Sequence, residues 1–117
     1  MPASASEEKA YYLSFAGDQW QTLGNLAAAA NDYQASQAIF EHLAKADPGN
    51  AGWRRDVAVS YAKFASVYLA QKDNAKAREA LKAGQEIMTK LVALSPDNAR
   101  WKNDLAWFDG RLAAQKR

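Results

Sequence analysis

The chain has 117 residues, of which 49% are hydrophobic and 24% are charged, and its formal net charge is +2. This size and composition predict one folded domain, and the absence of cysteine excludes disulfides and thiolate chemistry. Basic and acidic residues are interspersed, so we expect no nucleic-acid partner, and no apolar run approaches the roughly 18 residues needed for membrane insertion.

Apolar residues at three- and four-residue spacing predict five helices. Residues 1–5 are expected to form a frayed tail, and they lack the basic and apolar segments of a secretory signal. The helical repeat domain is expected over residues 6–117, with helices at about 6–23, 27–46, 51–71, 75–94 and 99–115. Valine, isoleucine and threonine are too few to supply a sheet. We therefore expect an all-α, cytoplasmic protein.

Turn residues define where these helices end. Gly24 is expected to adopt the left-handed conformation after the first helix, whose apolar stripe includes Trp20 and Leu23. Pro48 cannot continue the second helix, and Asn50 is a suitable N-cap for the third. Asn98 is expected to cap the fifth helix in the same way.

One stretch of the sequence occurs twice, 48 positions apart. DPGNAGW at residues 47–53 corresponds to SPDNARW at residues 95–101. The same separation relates further pairs in the helices: Asp56 and Asp104, Tyr33 and Leu81, Ile39 and Ile87, Leu43 and Leu91. A unit repeated at this length predicts helix pairs that bury their apolar faces against one another.

The second repeat resembles a tetratricopeptide repeat. The residues that carry the resemblance are Tyr61, Phe64, Ala65, Tyr68, Ala77, Leu81, Gly84 and Pro96. The resemblance implies a right-handed stack of antiparallel helix hairpins, an α-solenoid with two long repeats and a C-terminal capping helix. The common repeat has about 34 residues, and the longer period with its Pro-x-Asn-x-x-Trp-x-x-Asp junction resembles arrays attached to bacterial signalling proteins.

The resemblance also implies a binding surface on the concave side, lined by the first helix of each pair. Carried over by position, the binding residues are Tyr11, Ser14, Asp18, Gln21, Val59, Ala62, Lys63, Ser66, Trp107 and Arg111. Only Lys63 and Arg111 are basic among them, which argues against a clamp for a terminal carboxylate. The partner implied is a protein or peptide.

Several residues have a structural interpretation that we prefer over a catalytic one. Trp53 and Trp101 recur at one period and are expected to pack between repeats. Asp56 and Asp104 are expected to form helix-terminal or cross-repeat hydrogen bonds, because equivalent positions do not face each other. Gly84 inside a helix indicates close packing. Trp107 is open to two interpretations: it anchors a partner, or it packs on a further repeat.

No catalytic constellation is present in the sequence. His42 is the only histidine and has no second ligand three or four positions away, so no metal, cofactor or enzymatic activity is expected. The preferred function is a non-catalytic scaffold that binds a peptide or helix of a partner in the concave groove. The alternative is structural self-association, as a homodimer or a continued superhelix, within a larger signalling protein.

Overall fold

All regular structure in the described residues is α-helical, which confirms the prediction of an all-α protein. A computed structural model describes residues 2–115, with side chains from residue 5 onward. The helices are α1 (Pro2–Thr22), α2 (Leu26–Ala46), α3 (Ala51–Ala70), α4 (Asn74–Leu94) and α5 (Ala99–Ala114). None of them has an apolar stretch long enough to cross a bilayer.

The helix starts repeat with the sequence period. Asn25, Asn50, Asp73 and Asn98 each accept a backbone N–H of the following helix through their side-chain oxygen. The predicted caps Asn50 and Asn98 are therefore confirmed, and the other two form a second pair 48 residues apart. Helix α1 begins at Pro2, where the sequence predicted a frayed tail. Proline suits the first turn because no helical acceptor needs its N–H.

The turns after the first helix of each pair share a left-handed residue. Gly24 has φ of 84°, as expected for a helix C-terminus, and Lys72 has φ of 63° at the equivalent position 48 residues later. The second helix of each pair also ends alike, since the N–H groups of Asp47 and Ser95 bond to the carbonyls of Leu43 and Leu91. The turns and the helix ends of the two helix pairs therefore match.

Each helix packs on its neighbours in the chain: α1 on α2, α2 on α3, α3 on α4, and α4 on α5. Small residues let these helices approach closely. The Tyr33 ring of α2 lies against Gly17 of α1, and the Phe108 ring of α5 lies against Gly84 of α4. The close packing predicted for Gly84 is confirmed. The described residues form a slab of 38 × 31 × 19 Å, which is about two helices thick.

Large apolar residues differ in how deeply they are buried. Trp53 and Trp101 are half-buried and pack against separate apolar clusters, and their expected position between repeats stays a prediction. Trp20 and Leu23 were predicted on the apolar stripe of α1, but both are exposed. This prediction was wrong because α1 packs on α2 through one side only, which leaves the rest of the stripe in solvent.

Alanine substitution at two glycines tests the packing at Gly84. A methyl group at Gly84 would overlap the buried Phe108 ring, whereas at Gly110 it would enter open space. We expect Gly84→Ala to lower the free energy of unfolding by about 1–3 kcal/mol. Gly110→Ala, inside α5, should raise it by about 0.5–1 kcal/mol through helix propensity. Urea titration measures both, and equal effects would contradict the packing argument.

Candidate functional site

The ten residues predicted to bind a partner lie on α1, α3 and α5. We call the surface that they form the A face. Four come from α1, four from α3 and two from α5. The structure divides them into two groups, a polar one between α1 and α3 and an apolar one between α3 and α5.

The polar group is a set of hydrogen bonds that joins α1 to α3, and we call it the polar seam. Lys63 Nζ donates to both carboxylate oxygens of Asp18, at 2.9 and 3.1 Å, and to Ser14 Oγ at 2.7 Å. Gln21 Nε2 donates to Ser66 Oγ at 2.9 Å. Five of the ten predicted residues therefore bind each other. A partner that used their polar atoms would have to replace these bonds.

Tyr33 completes the polar seam from α2. Its side chain is buried, and its hydroxyl donates to Asp18 Oδ1 at 2.6 Å and to Gln21 Oε1 at 3.1 Å. Burial, together with the hydrogen bond to Asp18, raises the pKa of Tyr33 well above its ordinary value. The sequence placed Tyr33 in the core and did not reveal this hydrogen bond, because its equivalent Leu81 has no hydroxyl.

The repeated aspartates bridge successive helices of the A face. Tyr11 Oη of α1 donates to Asp56 Oδ2 of α3 at 2.6 Å. Arg55 Nε of α3 donates to Asp104 Oδ2 of α5 at 2.7 Å. The predicted cross-repeat hydrogen bonds are confirmed. The two environments differ, since burial raises the pKa of Asp56 although the bond from Tyr11 opposes that shift.

The apolar group surrounds a pocket of about 220 Å³ between α3 and α5. Val59, Ala62 and Trp107 line it, and Arg111 stacks over the Trp107 ring at 5.1 Å. Its remaining lining residues are Ala58, Met88, Asp104 and Phe108. The Trp107 side chain is 40% exposed. The pocket is therefore apolar at its base and has an aromatic wall open to solvent.

Three of the residues that line this pocket were predicted as binding residues, and its other lining residues were not. Met88 belongs to α4, whereas the resemblance placed the binding residues on the first helix of each pair and on the last helix; it is buried in the same apolar cluster as Phe108. Phe108 adjoins Trp107 in the sequence and lies edge-on to it, with ring centroids 5.1 Å apart. Asp104 could have been found from its period with Asp56. The period does not reveal its ion pair with Arg55.

The arrangement of polar groups does not suggest covalent chemistry. Lys63 donates to Ser14 while facing a carboxylate, so it does not remove the serine proton as an activating base would. Within the described residues, no three His, Cys, Asp or Glu side chains gather as metal ligands would. His42 is exposed on α2. What the A face can offer is an apolar pocket beside a fixed polar surface.

The hydrogen bond from Tyr33 predicts a pH-dependent loss of stability at alkaline pH. Because the folded-state pKa of Tyr33 lies above the unfolded value of 10.0, its contribution is present below pH 10 and is lost as the pH rises. At pH 8 we expect Tyr33→Phe to lower the free energy of unfolding by about 1–2 kcal/mol. Above pH 10 the difference in the free energy of unfolding between the wild type and Tyr33→Phe should decrease by about 1.4 kcal/mol per pH unit. A constant difference in urea titrations from pH 8 to pH 11 would contradict the assignment.

Comparison with protein-family models, with curated proteins and with solved structures finds no match to this chain. On the A face the features that bear on function are the polar seam and the pocket beside Trp107.

Proposed function

We propose that this protein is a non-catalytic interaction scaffold, and that it binds a peptide or helix of a partner protein on the A face. The observation that carries the proposal is the pocket between α3 and α5. It can take one apolar side chain of a partner beneath Trp107. Tryptophan at the edge of an apolar pocket is typical of residues that contribute most to the binding energy of an interface.

The proposal includes a tetratricopeptide-like solenoid as the scaffold. Its support is the structural period of 48 residues in the caps, the left-handed turns and the helix C-termini. Buried positions follow the same period, as in Ala29 with Ala77 and Leu43 with Leu91. In such a stack α1, α3 and α5 lie side by side as the first helices of successive units, and the A face is the binding surface.

The two parts of the A face have different roles in this proposal. The Lys63–Asp18 ion pair is partly exposed, and such pairs contribute only about 0–1 kcal/mol to stability. Burial of one large apolar side chain of the partner contributes more, about 1.5–3 kcal/mol. Affinity should therefore come from the pocket, while the polar seam fixes the relative position of α1 and α3.

A pair of tryptophan substitutions tests the pocket. Trp107 and Trp20 are both 40% exposed, but only Trp107 lines the pocket. We would capture partners from lysate of the native source, identify the bound segment by mass spectrometry and measure its affinity by calorimetry. Trp107→Ala should weaken binding of that segment at least tenfold, or about 1.4 kcal/mol.

Trp20→Ala is the matched control and should change the affinity less than about twofold. Circular dichroism establishes that both variants are folded. Equal losses in the two variants, or full affinity in Trp107→Ala, would contradict binding at this pocket.

A second candidate function is self-association, and the exposed side of α1 favours it. Tyr12, Phe15 and Leu23 are 70%, 60% and 76% exposed. Tyr12 and Phe15 lie one turn apart on α1, and Leu23 follows the end of that helix at Thr22. Exposed apolar side chains that lie close together are typical of a protein–protein contact. We propose that, in this case, α1 pairs with α1 of a second copy.

Sedimentation velocity over a range of concentrations tests this candidate. If α1 pairs with itself, the mass should rise towards twice the chain mass with concentration, and Tyr12→Ser with Phe15→Ser should restore a monomer. Leu94→Ser is the control, because Leu94 is 65% exposed on α4. It should leave the association unchanged. A constant monomer mass for the wild type would exclude self-association through α1.

A further inference from the structure

A second concave surface lies on the opposite side of α3, between α2 and α4. It consists of two pockets of about 470 and 290 Å³, and the same three helices line both. Along α2 the lining residues run from Ala30 to Lys45, while along α3 they run in reverse from Tyr68 to Arg54. The two pockets are therefore successive parts of one groove, about 22 Å long at the rise of an α-helix. We call it the α2–α4 groove.

The floor of the groove is apolar and comes from α3. Val57, Tyr61, Phe64 and Tyr68 form it, and Val57 is buried whereas the three rings are half-buried. Their spacing of three or four residues gives a ridge along one side of α3. Helices form both walls, so the groove offers no strand edge to which an extended peptide could add. A helix that lies along this ridge can present apolar side chains at the same spacing of three and four residues.

Charge is concentrated at one end of the groove. Lys45, Arg54 and Lys90 surround the smaller pocket, with Glu41 as its only acidic lining residue. Among the described residues, none of the three cations takes part in an ion pair. At the other end Lys76 and Glu79 balance each other. The groove therefore has one cationic end and one neutral end.

Two hydrogen-bond donors along the groove also lack acceptors. Gln37 Nε2 and Arg54 Nε are buried atoms without a hydrogen-bond partner among the described residues. Each belongs to a side chain that lines the groove, one in each pocket. Both atoms are closed to solvent, so neither is a contact for a ligand in the groove, and the charges of Lys45, Arg54 and Lys90 are what favours an acidic partner.

From these observations we propose that the α2–α4 groove binds an acidic amphipathic helix of a partner protein. The partner helix has an apolar stripe about four turns long, and its acidic residues lie at the end that meets Lys45, Arg54 and Lys90. This site is separate from the A face, so either can exist without the other. Helix α3 contributes to both.

A designed peptide tests the proposal directly. The probe is a fluorescein-labelled amphipathic helix of about 18 residues, with leucine at helical spacing and glutamate in its last turn. We expect it to bind the full chain with Kd below about 100 µM. A matched peptide with lysine in place of glutamate should bind at least tenfold more weakly. Absence of binding by the acidic peptide would overturn the proposal.

Charge reversal locates the site. Lys45→Glu with Lys90→Glu should weaken the acidic peptide at least tenfold and strengthen the lysine peptide. The control, Lys82→Glu with Lys102→Glu, makes the same change of net charge outside the groove and should have less than a twofold effect. All four lysines are exposed, so the substitutions remove no core contact. Equal losses in both double variants would overturn the proposal, because they would indicate unspecific attraction.

A label in the groove gives a second measurement. Because the chain has no cysteine, Gln34→Cys on the groove wall and Lys82→Cys outside it can each carry a single bimane. The acidic peptide should shift bimane emission at position 34 only. Loss of peptide binding in Trp107→Ala would overturn the location, because Trp107 lies outside the groove. An oligonucleotide of equal charge that binds more tightly and displaces the peptide would overturn the assignment to a protein helix.

Discussion

Close approach of helices at small residues is the constraint on which the rest of the structure depends. At Gly17 the absence of a side chain admits the Tyr33 ring, and this places the Tyr33 hydroxyl against Asp18. Asp18 in turn binds Lys63 and links α1 to α3. At Gly84 the same device admits Phe108 and brings α5 over α4, where Trp107 and Asp104 close the pocket. Both parts of the A face thus depend on a glycine that lets an aromatic ring approach the helix backbone.

Helix α3 belongs to both surfaces, because one of its sides contributes to the A face and the other to the α2–α4 groove. One side donates and accepts the hydrogen bonds of the polar seam and the Arg55–Asp104 bridge. The other supplies the aromatic floor of the α2–α4 groove. Polar contacts at partly exposed positions add little stability, whereas burial of Val57, Ala65 and Val67 holds the helix in place. Apolar packing stabilises α3, and its polar groups link it to α1 and α5.

The periodicity of the sequence was enough to predict the helical content and most of the helix ends. Proline and asparagine at positions 48 residues apart, and Gly24 after the first helix, act locally through backbone geometry and capping, so their effect can be predicted without knowledge of the fold. The cross-repeat role of Asp56 and Asp104 followed from the same period. These bonds needed only equivalent positions, and the structure supplies a donor for each.

Features that depend on how two helices meet were not predictable in this way. The polar seam requires Tyr33 of α2 to reach Asp18 of α1, yet the repeat pairs Tyr33 with an apolar leucine. Exposure of Trp20 depends on what lies beside α1 rather than on its own spacing. The α2–α4 groove was not predicted, because the resemblance implies binding by the first helix of each pair. The walls of this groove belong to the second helices.

The attachment of α5 has a consequence for dynamics. Among the described residues of α5, Phe108 is the only one that is buried, so fewer buried side chains hold this helix than hold α2, α3 or α4. Helices of this kind detach by local unfolding at a lower free energy than the whole domain. Since Trp107 and Asp104 leave with α5, the A-face pocket exists only while the helix is docked. Occupancy of the pocket would then shift the ensemble towards the docked state, and the apparent affinity would fall with the fraction of molecules in which α5 has detached.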